Sequence, residues 1–403
     1  MRAVVCDRLG DPSVLKIEER PIPEPGPTDI VIKVGAAAVN FPDVLTVSGD
    51  YQHKPELPFI PGMEGAGIVH AVGTGRDDWK IGDRAIFGIR PGAFAEYVTV
   101  SRRNHLLRLP EGWTFAEGAG FRVAATTAYH SLVHRAALRK GEVALIHGAS
   151  GGVGLAAVQL AKHLGARVIA TGGDDRRLAI VKQNGADDVV NYRTADFVAA
   201  VKELTGGKGA DVIYDPVGGE VLEKSMRAAA YGARLLVVGF TSGGPSRLMS
   251  NHVLIKGLTV MGVRAGETLL RVPRGYEKDH PAAEFLRHKQ FLAAKEFPAD
   301  GAAGEGFLNT GNALAMSPAM VAANCAALLP CTSNPCASSR SRVSAACSAA
   351  RMARALKMPP FRSPTGRPMR TGGRPSSPVM AMVPAMAWFT RSKEILWRSG
   401  PVW

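Results

Sequence analysis

A chain of 403 residues with 46% hydrophobic content has the length and apolar material for two domains with substantial cores and an extension besides. No run of 18 or more apolar residues occurs, and residue 1 leads straight into a β-type run without a charged and then apolar leader. A spanning helix and a signal peptide are therefore not expected, and a cytoplasmic location is. The net charge of +14 says little about most of the chain, because residues 301–403 hold 12 Lys plus Arg against 2 Asp plus Glu.

The first 115 residues carry short alternating runs at 3–6, 30–34, 67–72 and 94–100, separated by Pro- and Gly-rich turns. This pattern predicts a small β-rich barrel domain, with Cys6 as a reduced core residue. Residues 114–136 are compatible with helix and would bridge to a second domain, so the cleft between the two is the expected place for a substrate.

Residues 141–162, GEVALIHGASGGVGLAAVQLAK, pass from an apolar run through a glycine cluster into a helix-forming segment. Residues 143–147 supply a strand and 155–164 a helix. Ala149, Gly151 and Gly154 occupy the positions of a G-x-G-x-x-G fingerprint with alanine first. In that fingerprint the first position makes the tight turn and the second lets backbone approach a pyrophosphate. The third packs helix on strand and leaves the helix amides facing the phosphates.

A second strand at 167–171 ends at Gly172, where a dinucleotide site places the acid that holds the ribose 2′-hydroxyl of NAD; no acid stands there. Arg176 and Arg177 follow, and guanidinium groups suit a 2′-phosphate. Asp174 and Asp175 either pair with these arginines or begin the next helix. NADPH is expected over NADH. Runs at 188–192, 211–215, 234–239 and 258–263, with helical segments such as 195–204 and 221–230 between them, complete six strands of a doubly wound parallel sheet.

With Gly141, Glu142, Leu145, Ala149, Ser150, Gly151, Gly152, Gly154, Gln159 and Lys162 in place, the chain resembles the medium-chain dehydrogenases/reductases, and within them the zinc-independent quinone oxidoreductase and ζ-crystallin branch. The blocks AVNFPDVLTVSGDY (38–51) and LPFIPGMEGAGIV (57–69) are similar to that branch's catalytic segment. The resemblance spans residues 1–265. It implies an α/β protein in which a GroES-like β-barrel domain (1–115) packs against a doubly wound Rossmann domain (116–265). NADPH would lie in the cleft, with hydride passing to a quinone or an α,β-unsaturated carbonyl.

Carried over by position, Ala149, Gly151, Gly152, Val153 and Gly154 would hold the pyrophosphate, and Thr127 would sit near the nicotinamide-side phosphate. Arg177 and Tyr192 would surround the 2′-phosphate, and Gly239 and Phe240 would lie by the nicotinamide. Asn40 and Tyr51 would line the substrate side. Leu45 and Val47 replace polar residues of some relatives, which predicts a more apolar pocket. A homodimer through the sheet edge near 258–263 is also implied.

The zinc-dependent branch holds its metal with Cys and His. Here Asn40-Phe41-Pro42-Asp43 and Gly62-Met63-Glu64 stand at the corresponding places, and residues 7–324 contain no cysteine, so no metal site is expected. His53, His130, His134 and His147 are candidate proton donors, each more readily explained as structural. The chemistry reduces to orienting two reactants around a cofactor that carries the reaction.

From about residue 267 the resemblance ends. Residues 266–300 stand where a return to the barrel belongs, but the expected closing helix and strand are absent. Residues 301–403 form an atypical basic stretch rich in Ala, Ser, Pro and Arg, expected to be disordered. A changed reading frame or gene boundary explains this composition better than an evolved domain; a tail that binds nucleic acid is the other reading. Cys325, Cys331, Cys336 and Cys347 offer no C-x-x-C pair for a metal. An NADPH-binding structural or RNA-binding protein without turnover remains the alternative function.

Overall fold

The computed structural model describes residues 1–102, 104–242 and 245–266 and the backbone of residues 315–316. The chain opens with β1 (Arg2–Val5), antiparallel to β2 (Lys16–Glu19). The barrel sheet is built on β3 (Asp29–Ala38), whose ten residues are mostly buried. After β3 comes α1 (Phe41–Ser48), then β4 (Glu64–Val72), β5 (Arg84–Gly88), β6 (Tyr97–Ser101) and β7 (His105–Arg108). All pairings in this sheet are antiparallel: β3 with β4, β4 with β5, β5 with β7, and β6 on the other edge of β3. Ile30, Ile32, Val69, Phe87, Val98 and Val100 fill its interior.

The bridging region is not one helix. It divides into α2 (Phe115–Ala119), α3 (Arg122–Tyr129) and a π-helical turn over His130–Arg135. Thr114 and Glu117 form a capping box that starts α2, and Gly120 ends it. A Cβ on Gly118 would meet Ala66 and Ile86 of the barrel at 3.1 Å, so α2 lies directly on β4 and β5.

Beyond it run β8 (Val143–Ile146), α4 (Gly152–His163), β9 (Arg167–Gly172), α5 (Asp175–Gln183), β10 (Asp188–Asn191), α6 (Phe197–Leu204) and β11 (Ala210–Asp215). They are followed by α7 (Glu220–Ala228), β12 (Ala229–Val237), α8 (Ser250–Lys256) and β13 (Thr259–Gly262). The six strands are parallel in the order β10-β9-β8-β11-β12-β13. The chain moves outward from β8 in one direction and then, from β11, in the other. A crevice therefore opens at the carboxyl ends of β8 and β11, the place where such sheets bind ligands. One apolar cluster joins Ala38, Ala66 and Ile86 of the barrel to Ala125 and Ala128 of α3 and to Ile146, Leu155 and Leu160 of the parallel sheet and its helix.

The expectations for residues 267–403 fall almost wholly outside the described residues. The exception is β14 (Ala315–Met316), which pairs antiparallel with Ala38 and Ala37 of β3. The expectation that no strand returns to the barrel is corrected at these two residues.

Candidate functional site

At the end of β8 the chain turns through Gly148, which takes φ +55°, a left-handed conformation that glycine adopts without a Cβ penalty. The tight turn assigned from sequence to Ala149 belongs to Gly148. Ala149 itself is fully buried, with its N–H donating to the Thr171 carbonyl at 3.0 Å. At Gly154 a Cβ would run into the Gly148 carbonyl oxygen and lie 2.8 Å from Ala149 Cα. The start of α4 can press against the turn only because that side chain is missing. Gly151 is the cap residue of α4, with extended backbone and no side chain to satisfy the helix amides. Gly151, Gly152, Val153 and Gly154 thus present a helix N-terminus with its positive end open at the crevice, the arrangement that suits a diphosphate.

The opposite wall is made by the turn after β11. Asp215 accepts from the amides of Val217 (2.7 Å) and Gly218 (3.0 Å), which shapes residues 216–218. A Cβ on Gly148 would meet Pro216 and Val217 at 3.3 Å, so the two turns touch. Gly239 and Phe240 follow β12 and lie against Gly218; the Phe240 ring is 41% exposed. Thr127 is half-buried in α3, and its carbonyl accepts from Ser131 Oγ at 2.6 Å.

At the end of β9 the two acids that left the sequence reading open are both engaged in structure. Asp174 caps α5, accepting from the Arg177 amide at 3.0 Å; that bond holds its carboxyl below the usual range. Asp175 accepts from Asn191 Nδ2 at 2.7 Å. Neither pairs with the side chains of Arg176 or Arg177, which are exposed and form no ion pair among the described residues.

The parallel register sets Asn191 beside Gly172, and so brings the next two residues of the chain over Gly173. A Cβ on Gly173 would lie 2.9 Å from both Tyr192 Oη and Arg193 Nε. Arg193 was not found from the sequence. It follows β10, and only the pairing of β9 with β10 brings it over Gly173. A phenol and an exposed guanidinium over Gly173, at a strand end whose two acids are engaged elsewhere, suit a phosphate monoester.

Across the cleft, Asn40 caps α1 and its backbone N–H donates to the Asp43 carboxylate at 2.8 Å. Its side-chain Nδ2 donates to Glu64 Oε1 at 2.9 Å, and Glu64 Oε2 accepts from the Val123 amide at 2.7 Å. Burial pushes the Asp43 and Glu64 carboxyls each up to about 7. Arg122 lies flat on Gly88; burial lowers its guanidinium to about 10, and the Glu64 charge opposes that fall. Asp43, Thr46, His53, Met63 and Arg90 line a small, partly open pocket beside this cluster.

Tyr51 is not in that lining; it follows α1, with its N–H on the Leu45 carbonyl at 3.0 Å. The expectation that Val47 makes the pocket apolar is corrected: Val47 packs with Cys6, Val14 and Phe59 in the barrel core.

Of the candidate proton donors, His147 is fully buried between Thr171 Oγ1 and Ser225 Oγ, each at 2.8 Å, and burial lowers it to about 3. It is a core histidine. Among the described residues no three His, Cys, Asp or Glu side chains gather into a donor set for a metal. No described helix is long and apolar enough to cross a membrane.

Residues 26–111 match the alcohol dehydrogenase GroES-like domain family and residues 152–278 the zinc-binding dehydrogenase family. Human quinone oxidoreductase is 37% identical over 265 residues, covering 65% of this chain and 80% of the relative. The Escherichia coli quinone oxidoreductase complexed with NADPH superposes with a TM-score of 0.61 at 28% identity, over 73% of this chain and 98% of that one. A 2-haloacrylate reductase superposes with a TM-score of 0.60 at 27% identity, over 72% and 89% of the two chains.

Proposed function

Because the chain belongs to the medium-chain dehydrogenase/reductase superfamily, we propose that its cleft binds NADPH and passes hydride to a quinone or an activated alkene. The observation that carries this reading is the end of β9, where Gly172 stands in place of an acid and Tyr192 and Arg193 lie over Gly173, with Arg177 exposed in the first turn of α5.

The open N-terminus of α4, with Gly151, Gly152, Val153 and Gly154 behind the buried Ala149, would hold the pyrophosphate. Tyr192, Arg177 and Arg193 would hold the 2′-phosphate. Thr127, Gly239 and Phe240 would flank the nicotinamide. NADPH, when bound, supplies the hydride; the protein binds, orients and excludes water. On the acceptor side Asn40 offers an amide donor to the oxygen that gains charge, Tyr51 adds to the wall, and solvent delivers the proton. This reading calls on no metal.

We take residues 1–115 as the catalytic domain, 116–265 as the nucleotide domain, 266–300 as a return segment and 301–403 as a basic tail. A homodimer through β13 could also cover the exposed Tyr231 of β12 and Leu254 and Ile255 of α8. A cytoplasmic setting suits the buried free thiol of Cys6.

The test is consumption of NADPH and of NADH by the purified chain with an ortho-quinone and with a haloacrylate. A preference for NADPH of about 10- to 100-fold is expected, as one or two charge-assisted bonds would give. Equal rates overturn the 2′-phosphate assignment, and no turnover overturns the reaction.

A further inference from the structure

A single carboxylate joins the two sides of the cleft. Glu64 opens β4 and is 1% exposed, and each of its oxygens meets a donor: Asn40 Nδ2 from the start of α1 and the Val123 amide from the first turn of α3. Helix α3 also carries Thr127, on the cofactor side. Two donors facing one planar group are both satisfied by an ionised carboxylate and not by a carboxamide. With Nδ2 turned to Glu64, the orientation of the Asn40 amide is fixed, and Nδ2 keeps one further hydrogen.

Resting on the oxidoreductase reading above, we propose that Glu64 is the positioning residue of the acceptor site. Its carboxylate sets the Asn40 amide so that an Nδ2 hydrogen is presented to the acceptor's oxygen, and it anchors that amide to α3.

The charged groups around Glu64 tune this role. Asp43 on α1 is a neighbouring carboxylate, and Arg122 on α3 favours the ionised form of Glu64. Arg90, after β5, acts on Arg122, and His53 shares the Asp43 cavity. Protonating Glu64 places a hydrogen where Asn40 needs an acceptor, so hydride transfer should fall as pH drops below about 7. In Glu64→Gln the carbonyl oxygen can serve Val123, but the carboxamide nitrogen then faces Asn40 and turns its amide round.

The experiment compares single-turnover NADPH oxidation by an ortho-quinone in the wild type, E64Q, N40A and the double variant, with NADPH affinity measured in each. E64Q is expected to slow hydride transfer at least 10-fold, to keep NADPH affinity within twofold and to lose the acid limb. The double variant should be no slower than N40A, because Glu64 acts through Asn40. A fully active E64Q, an acid limb that persists in it, or additive losses in the double variant would overturn the assignment. The side-chain amide resonance of Asn40, assigned by its loss in N40A, gives a readout without turnover. It should titrate near neutral pH in the wild type and not in E64Q. Should no acceptor be reduced, the functional reading fails, and this resonance alone decides on Glu64: one that does not titrate overturns the proposal.

Discussion

Arg177 and Arg193 stand exposed without an ion pair among the described residues, while Asp174 and Asp175, which could have neutralised them, are held by an amide and by Asn191. Replacing Arg177 or Arg193 by Ala should each weaken NADPH binding about 10-fold, near 1.4 kcal/mol, and leave NADH binding unchanged; fluorescence titration of the two cofactors checks this. Gly154→Ala should cost about 1–3 kcal/mol of stability in thermal or denaturant unfolding, since its Cβ has nowhere to go against Gly148 and Ala149. The fingerprint glycines were legible in the sequence because their jobs are local. Arg193 was not, because its partner strand lies elsewhere in the chain. Glu64 sits in an apolar run, GMEGAGIV, where nothing nearby in sequence marks it as the partner of Asn40.

At the scale of elements, the parallel sheet was readable because each buried strand is a short apolar run bounded by turn residues. The barrel was less so. Helix α1 lies in a block marked only by its likeness to the family's catalytic segment, and the local signal for it is the acid of Asp43 three residues after Asn40.

Buried groups also give the elements opposite responses to pH. His147 ties β8 to Thr171 of β9 and Ser225 of α7, and its folded value of about 3 lies below the usual 6.5 or so. The unfolded chain therefore takes up the extra proton, and stability should fall by up to about 1.4 kcal/mol per pH unit as pH drops below about 6.5. Asp43 and Glu64 are raised to about 7 instead, so their contribution is full at acid pH and declines as pH rises from about 4 to 7. Chemical denaturation across this range should show His147→Gln flattening the acid side and E64Q flattening the slope toward neutrality. The proposed homodimer can be tested on α8: Leu254→Glu with Ile255→Glu should leave only monomers in sedimentation, since both side chains are more than two-thirds exposed.

For the molecule as a whole, charge is unevenly placed. The last 103 residues carry 12 basic side chains against 2 acidic, while the parts with an assigned role in the cleft are close to balanced. Binding to heparin or RNA should therefore reside in residues 301–403, weaken steeply with added salt and vanish on truncation at residue 300, with NADPH binding retained. Retention of polyanion binding by the shortened chain would place it on the domains instead.

The end of β9 also determines how this protein could be re-engineered. Installing an acid at Gly172 is the obvious route to an NADH-using variant, yet a Cβ there would stand 3.0 Å from Leu178 Cδ2 and 3.3 Å from its Cγ. Leu178 is buried in α5 and has little freedom to yield. A cofactor swap is thus a two-residue problem. Gly172→Asp alone should lose activity with both cofactors, whereas the same change in a Leu178→Ala background has room for the carboxylate that an unphosphorylated ribose prefers.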